Sequence, residues 1–322
     1  MRAIQIREFG GPEVLRVVDV EEPEPREGYV VVDVTSAGLN YADTHQAENS
    51  YLAPQSLPLV PGGEVVGRTK DGRRVVALLA GGGGYAERAV AHPSVVFHLP
   101  DEVDDVTALG LVLQGTTAWH LLRTSARLCP GESVVVHAAA GGVGSLAVQL
   151  AKTFGAGRVI ATASSAEKRE LAVELGADVA VDVSAAASAD EVRDLLVQAN
   201  GGDGVDVVLE MMGGVVHDGS LAALAPFGRM VVFGNASRTP PKPVPTSALM
   251  TRSVSVTGFW LPTVLRQPGG LAPAMEELLV LAASGGLRVV DGGRYPLAQA
   301  AEAHRALRSR GTVGKLVLDV RA

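Results

Sequence analysis

Residues 133–152 read SVVVHAAAGGVGSLAVQLAK, and their interpretation decides the fold. Residues 134–137 are a short β-branched run, Gly141, Gly142 and Gly144 make a turn around Val143, and Ser145 opens a helix. In that helix Ala147, Leu150, Ala151 and Phe154 share one face. Glycines at such a turn let backbone N–H groups approach a pyrophosphate closely, and the helix N-terminus directs partial positive charge toward the phosphate oxygens. A glycine triplet alone also fits an ordinary tight turn. Context separates the two readings, because further strands are expected at 159–162, 179–183, 205–210, 230–233 and 254–257. The helix from Asp190 places Val192, Leu195, Leu196 and Ala199 on one stripe, as a helix laid on a sheet requires. Six strands alternating with helices predict a doubly wound parallel sheet, with its ligand crevice at the carboxyl ends of the strands.

Upstream the rhythm differs. Short runs at 2–6, 15–20, 30–34, 64–68, 73–78 and 85–90 are bounded by Gly, Pro, Asn and Asp, which predicts a compact β-rich domain. A helix over 106–123 leads out of it. Gly81 to Gly84 precedes no helical pattern and reads as a loop. A helix carrying Met275, Leu278, Leu279 and Ala282 and a strand at 315–320 return the chain to the first domain. The expected division is 1–120 with 267–322 for the β-rich domain and 121–266 for the dinucleotide-binding domain.

Bulk properties narrow the function classes. The 322 residues are 47% hydrophobic, enough for two cores, and the net charge of −7 gives no reason to expect a nucleic acid partner. Residues 1–25 interleave charges with apolar residues, unlike a signal peptide, and no stretch reaches the roughly 18 apolar residues of a membrane span. Cys129 is the single cysteine, which excludes an intrachain disulfide and a multi-cysteine metal site and fits a reducing cytoplasm.

The second strand bears on cofactor choice. An acid about 20 residues past the loop would bond the ribose 2′-hydroxyl of NADH. Here VIATASSAEKRE has no acid before Glu167, and brings Ser164, Ser165, Lys168 and Arg169 near the strand end. Hydroxyls and cations suit a 2′-phosphate, so NADPH is expected. For Lys168 and Arg169 the alternative is an exposed helix face.

Taken in order, SAGLNYADTH, PLVPGGEVVG ending at Gly67, GGYAE, LQGTTAWHLL, AAAGGVGSLAVQLAK, TASSAEKRELAVELGAD and RGTVGKLVLDV resemble the quinone oxidoreductases of the medium-chain dehydrogenase/reductase superfamily. The resemblance spans essentially the whole chain. It implies a GroES-like substrate domain, a Rossmann domain, NADPH, a homodimer, and metal-free reduction of quinones or α,β-unsaturated carbonyls. Residue by residue, it implies that Asn40 and Asp43 line or brace the nicotinamide side and that Tyr51 lies near the substrate mouth. It places Lys168 and Arg310 at the 2′-phosphate, and Phe233, Gly234, Asn235, Gly258, Phe259 and Trp260 along the cofactor. One departure is Val183, where the family often has a tyrosine near the adenosine phosphate. Zinc alcohol dehydrogenases of the superfamily have a cysteine where Asn40 stands, a histidine where Gly63 stands and another cysteine near Leu113; only Glu64 remains, and one carboxylate builds no zinc site.

Without a Lewis acid, rate must come from positioning and from hydrogen bonds to the acceptor oxygen, and Asn40, Tyr51 and His45 are the candidate donors. His45 also reads as a solvated loop histidine. Two other functions fit the same residues: an enoyl reductase acting on a thioester or natural-product intermediate, and a non-catalytic, crystallin-like NADPH-binding protein. The strand at 254–257 is a plausible edge for pairing between subunits.

Overall fold

The structure, a computed structural model, describes residues 1–25 and 27–322. The chain forms two compact units, Met1–Thr116 with Pro262–Ala322, and Thr117–Leu261. The boundaries expected at 120 and 266 lie a few residues later. An almost unbroken helical run crosses the first of them, so no turn residue marks it: α2 (Asp105–Leu109), a π-helical stretch (Gly110–Gly115), α3 (Thr116–His120) and a second π-helical stretch (Leu121–Ser125), with α1 (Tyr41–Ala47) preceding them.

In the first unit β1 (Arg2–Gln5) pairs antiparallel with β2 (Arg16–Asp19). The main sheet is built on β3 (Val30–Leu39), β4 (Glu64–Thr69), β5 (Arg74–Leu78), β6 (Arg88–Ala91) and β7 (Val96–His98). Ten residues make β3 long enough for two partners on one side. Val30–Asp33 pair with β6, and Ser36–Leu39 pair with the strand that returns from the end of the chain. Alternating burial along these strands places Val32, Val34, Val65, Val75 and Ala77 in one core with Ile4 and Ile6.

The second unit holds β8 (Ser133–Val136), β9 (Arg158–Thr162), β10 (Val179–Val181), β11 (Val205–Glu210), β12 (Leu224–Val232) and β13 (Ser255–Gly258), all parallel, in the order β10-β9-β8-β11-β12-β13. This is the expected doubly wound sheet, and strand order reverses between β8 and β11. Helices α4 (Gly142–Thr153), α5 (Ala166–Glu174), α6 (Ala189–Ala199), α7 (Gly214–Ala223) and α8 (Thr246–Met250) connect the strands. Val192, Leu196 and Ala199 of α6 are buried and Leu195 half-buried, which is the stripe read from the spacing.

The chain returns through α9 (Ala272–Ala283), β14 (Asp291–Pro296), α10 (Ala300–Arg308) and β15 (Lys315–Asp319), giving the first unit the sheet order β14-β15-β3-β4-β5-β7. Strands β7 and β14 escape sequence reading. DGGRYP looks like a turn, and it is tolerated as a strand because it pairs only with β15 at the sheet edge.

Leu196 is fully buried, so Leu196→Ala leaves a cavity and is expected to cost about 3 kcal/mol. Both tryptophans, Trp119 and Trp260, lie in the second unit, so the loss reads directly as a lower urea midpoint in tryptophan fluorescence.

Candidate active site

The glycine turn sits where β8 ends. Ala138 has a left-handed backbone (φ 49°), and its carbonyl accepts from Gly141 N at 2.8 Å. A side chain on Gly144 would overlap that carbonyl, so close packing of α4 on the turn demands glycine there. Gly141 is the N-cap of α4 and no side chain caps the helix, which leaves its N-terminal dipole facing outward from β8. Val143 follows Gly142 in the first turn of the same helix.

At the end of β9, Ser165 caps α5 by accepting from Lys168 N at 3.3 Å, and Ser164 beside it is exposed. Lys168 is half-buried, and desolvation lowers its ammonium from the ordinary value. Arg169, grouped with Lys168 as a phosphate cation on sequence grounds, has partners within the protein. Its guanidinium bonds Ala163 O at 3.0 Å and pairs with Asp182 at 3.2 Å. Val183 is buried. Past β12, Phe233 N donates to Glu210 O at 2.9 Å, and Ala236 N and Ser237 N donate to Met211 O and Met212 O. This lays Phe233, Gly234 and Asn235 against the segment following β11. Gly258 ends β13, and after it Phe259 stacks on His120 with ring centroids 6.2 Å apart, followed by half-buried Trp260.

Two buried ionisable groups of this unit had no sequence motif. His137 bridges Thr162 Oγ1 (2.9 Å) and Ser220 Oγ (2.8 Å), tying β9 to α7, and burial pushes its imidazole down to about 4. Glu210 ends β11, and one oxygen accepts from Met212 N (2.7 Å) and Gly213 N (2.9 Å). Burial raises its carboxyl against those bonds. An acid directly after the apolar run Val207–Leu209 was the available signal.

In the first unit the buried hydrogen bonds converge on Asn40, at the junction of β3 and α1. Asn40 N donates to Asp43 Oδ2 at 2.9 Å, and the same oxygen accepts from Tyr85 OH at 2.9 Å. Tyr85 OH also lies 3.2 Å from His304 Nε2. Burial pushes Asp43 up to about 6, and burial followed by the Arg308 charge pushes His304 down to about 4. Once Asp43 is ionised it can only accept, so the tyrosine proton points to it and His304 Nε2–H donates to the tyrosine oxygen. Asp43 is therefore a brace for the start of α1. The Asn40 side chain is equally enclosed: Nδ2 donates to Glu64 Oε1 at 2.9 Å, and Oδ1 accepts from Gln114 Nε2 at 3.0 Å and Lys315 Nζ at 3.4 Å. The expectation of Asn40 as an open donor thus narrows to the second Nδ2 proton. His45 is half-buried, with Nδ1 2.8 Å from Ser50 Oγ and its ring edge-on to Tyr41; Tyr51 is half-buried in the turn that follows. Arg310 is exposed after α10, with a left-handed φ of 58°, in a different unit from Lys168.

Zinc does not fit this donor set. Glu64 is fully buried and already paired with the Lys315 ammonium, Asn40 offers an amide, and the space beside Gly63 meets only Leu113 Cδ1 at 3.6 Å. Among the described residues no three His, Cys, Asp or Glu side chains gather.

A glycine turn at the first strand of a doubly wound sheet, joined to a GroES-like unit, defines a medium-chain dehydrogenase/reductase. Residues 142–283 match the family described as zinc-binding dehydrogenase. Quinone oxidoreductase of Pseudomonas aeruginosa is 37% identical over 98% of this chain and 99% of its own, and that of Lama guanicoe 34% over 99% and 97%. The chain belongs to the quinone oxidoreductase family. Escherichia coli quinone oxidoreductase, crystallised with NADPH, superposes with a TM-score of 0.91 at 32% identity, covering 99% of this chain and 100% of its own. The Thermus thermophilus enzyme, also determined with NADPH, gives 0.87 at 38% over 99% and 100%.

His137 stays neutral when folded, whereas its unfolded form protonates near 6.5. The second unit therefore has this stabilisation in full above pH 6.5 and loses it as pH falls toward about 4, on the order of 3 kcal/mol. Glu210 works in the opposite direction in wild type and variant alike. His137→Gln is expected to flatten the fall of the urea midpoint between pH 6.5 and 4.5; parallel pH curves would contradict the assignment.

Proposed function

We propose that this chain uses NADPH to reduce quinones, and more broadly α,β-unsaturated carbonyls, by a zinc-independent route. The observation that carries the reading is the buried Glu64–Lys315 pair: the one carboxylate retained from the zinc enzymes has a cation of the protein's own against it. NADPH, when bound, supplies the hydride. Gly144 and the uncapped start of α4 would hold its pyrophosphate, and Lys168 with Ser164 would hold the 2′-phosphate. Relatives crystallised with NADPH support the same preference.

The protein's residues then position the acceptor and meet the negative charge that grows on its oxygen. A conjugated acceptor spreads that charge, so neutral donors suffice where an isolated ketone would want a metal. The second Nδ2 proton of Asn40, Tyr51 and His45 are the donors we assign. Asp43 braces Asn40 from behind. Among the described residues no helix is long and apolar enough to cross a membrane, and the exposed Cys129 suits a reducing cytoplasm. Strand β13 pairs only with β12, and its outer edge suits a homodimer formed by sheet extension.

NADPH oxidation against a benzoquinone, a short alkenal and a crotonyl thioester, run with and without chelator, tests the reading. Turnover on the quinone, unchanged by chelator and with no zinc in the protein, is expected; activity on the thioester alone would move the chain to the enoyl reductases. Lys168→Ala is expected to weaken NADPH about 10- to 100-fold, the value of one charged hydrogen bond, and to leave NADH unchanged. Sedimentation is expected at about twice the 33.2 kDa chain mass.

A further inference from the structure

Three adjacent strands deliver one charge cluster. Lys315 opens β15, Glu64 opens β4, and Leu39 closes β3 between them, with Asn40 next in the chain. Both charged side chains have no exposed surface. The ammonium donates to Leu39 O at 3.0 Å, to Asn40 Oδ1 and to Glu64 Oε1, so all its protons have acceptors. Any side chain on Gly38 would overlap Glu64 Oε1 and Lys315 Nζ, and glycine there is what lets the pair lie against β3.

The cluster is polar in a directional way. A carboxamide can be turned over with little change in shape, exchanging oxygen for NH₂. Here cation and carboxylate flank the Asn40 amide on opposite ends: Lys315 and Gln114 offer only protons to Oδ1, and Glu64 offers only an acceptor to Nδ2. Turning the amide over would set NH₂ against an ammonium and a carbonyl oxygen against a carboxylate, at a depth where burial leaves the repulsion poorly screened.

We propose that Lys315 is a positioning residue for hydride transfer: with Glu64 and Gln114 it holds the Asn40 amide in the one orientation that presents its second N–H to the acceptor oxygen. The proposal rests on Asn40 being a donor, as assigned under the proposed function. Its consequence is a split between chemistry and binding, since none of these groups belongs to the NADPH-holding segments of the second unit.

Removing one ion strands the other, so Glu64→Gln/Lys315→Met, which removes both charges at similar volume, is the variant of choice. It is expected to bind NADPH within about twofold of wild type by fluorescence titration and to lose about tenfold or more in kcat on benzoquinone. Asn40→Ala should lose a similar factor, and Asn40→Ala combined with Glu64→Gln/Lys315→Met should lose little more, because both act through one amide. Gln114→Leu removes a proton from Oδ1 with no charge involved and reports the same loss, about threefold or more, should the doubly substituted protein fail to fold. Asn40→Ala that slows turnover while folded Glu64→Gln/Lys315→Met, or Gln114→Leu, does not, overturns the positioning role alone. Unchanged turnover in Asn40→Ala overturns the donor assignment and the positioning role together. Absence of any acceptor-dependent NADPH oxidation by the wild type overturns the function itself.

Discussion

A lysine and a glutamate with no exposed surface, in contact inside a β-sheet, are the constraint around which the first unit is arranged. Two ions taken from water are a poor source of stability: their mutual attraction roughly offsets the desolvation, and a well-packed apolar pair often does as well. What such a pair supplies is direction. Charges of fixed sign decide which end of each neighbouring dipole faces them, and the nearest dipole is the Asn40 amide. The third strand of the cluster must then be free of a side chain at Gly38, and the π-helical stretch must bring Gln114 to the same amide. A second buried chain, His304 to Tyr85 to Asp43, fixes the backbone of the same residue from the other side.

The second unit solves a different problem with the same economy of polar groups. The middle of its parallel sheet is largely apolar, and buried polar groups stand at strand ends: His137 just after β8, Thr162 at β9, Glu210 at β11. His137 ties β9 to α7 beside the turn that follows β8, and Glu210 is hydrogen-bonded to the turn that follows β11. Those turns are the ones a dinucleotide has to pass, because β8 and β11 are where the strand order reverses. Rigidity is thus concentrated where a ligand needs backbone N–H groups held in place.

Much of this was legible in the chain. SVVVHAAAGGVGSLAVQLAK carried its strand, turn and helix in local spacing, since helix and strand periods of apolar residues are properties of neighbouring positions. The same holds for the stripe of Val192, Leu196 and Ala199, and for Lys168 beside Ser164, placed by counting from Gly144. The pairing of Arg169 with Asp182 was not legible, because Asp182 follows the next strand and an ion pair across that interval leaves no periodic trace. Strand β14 was missed because its glycines and proline speak for a turn, and only pairing with β15 overrides them.

Sequence by itself therefore determined the class of fold and the dinucleotide turn, both of which depend on residue type at fixed local spacing. Tertiary structure alone decided what surrounds Asn40. Its partners Glu64, Gln114 and Lys315 lie 24, 74 and 275 residues away, and no local rule relates them. They meet because antiparallel pairing sets β15 and β4 on either side of β3, and because burial then forces each charge to find its opposite.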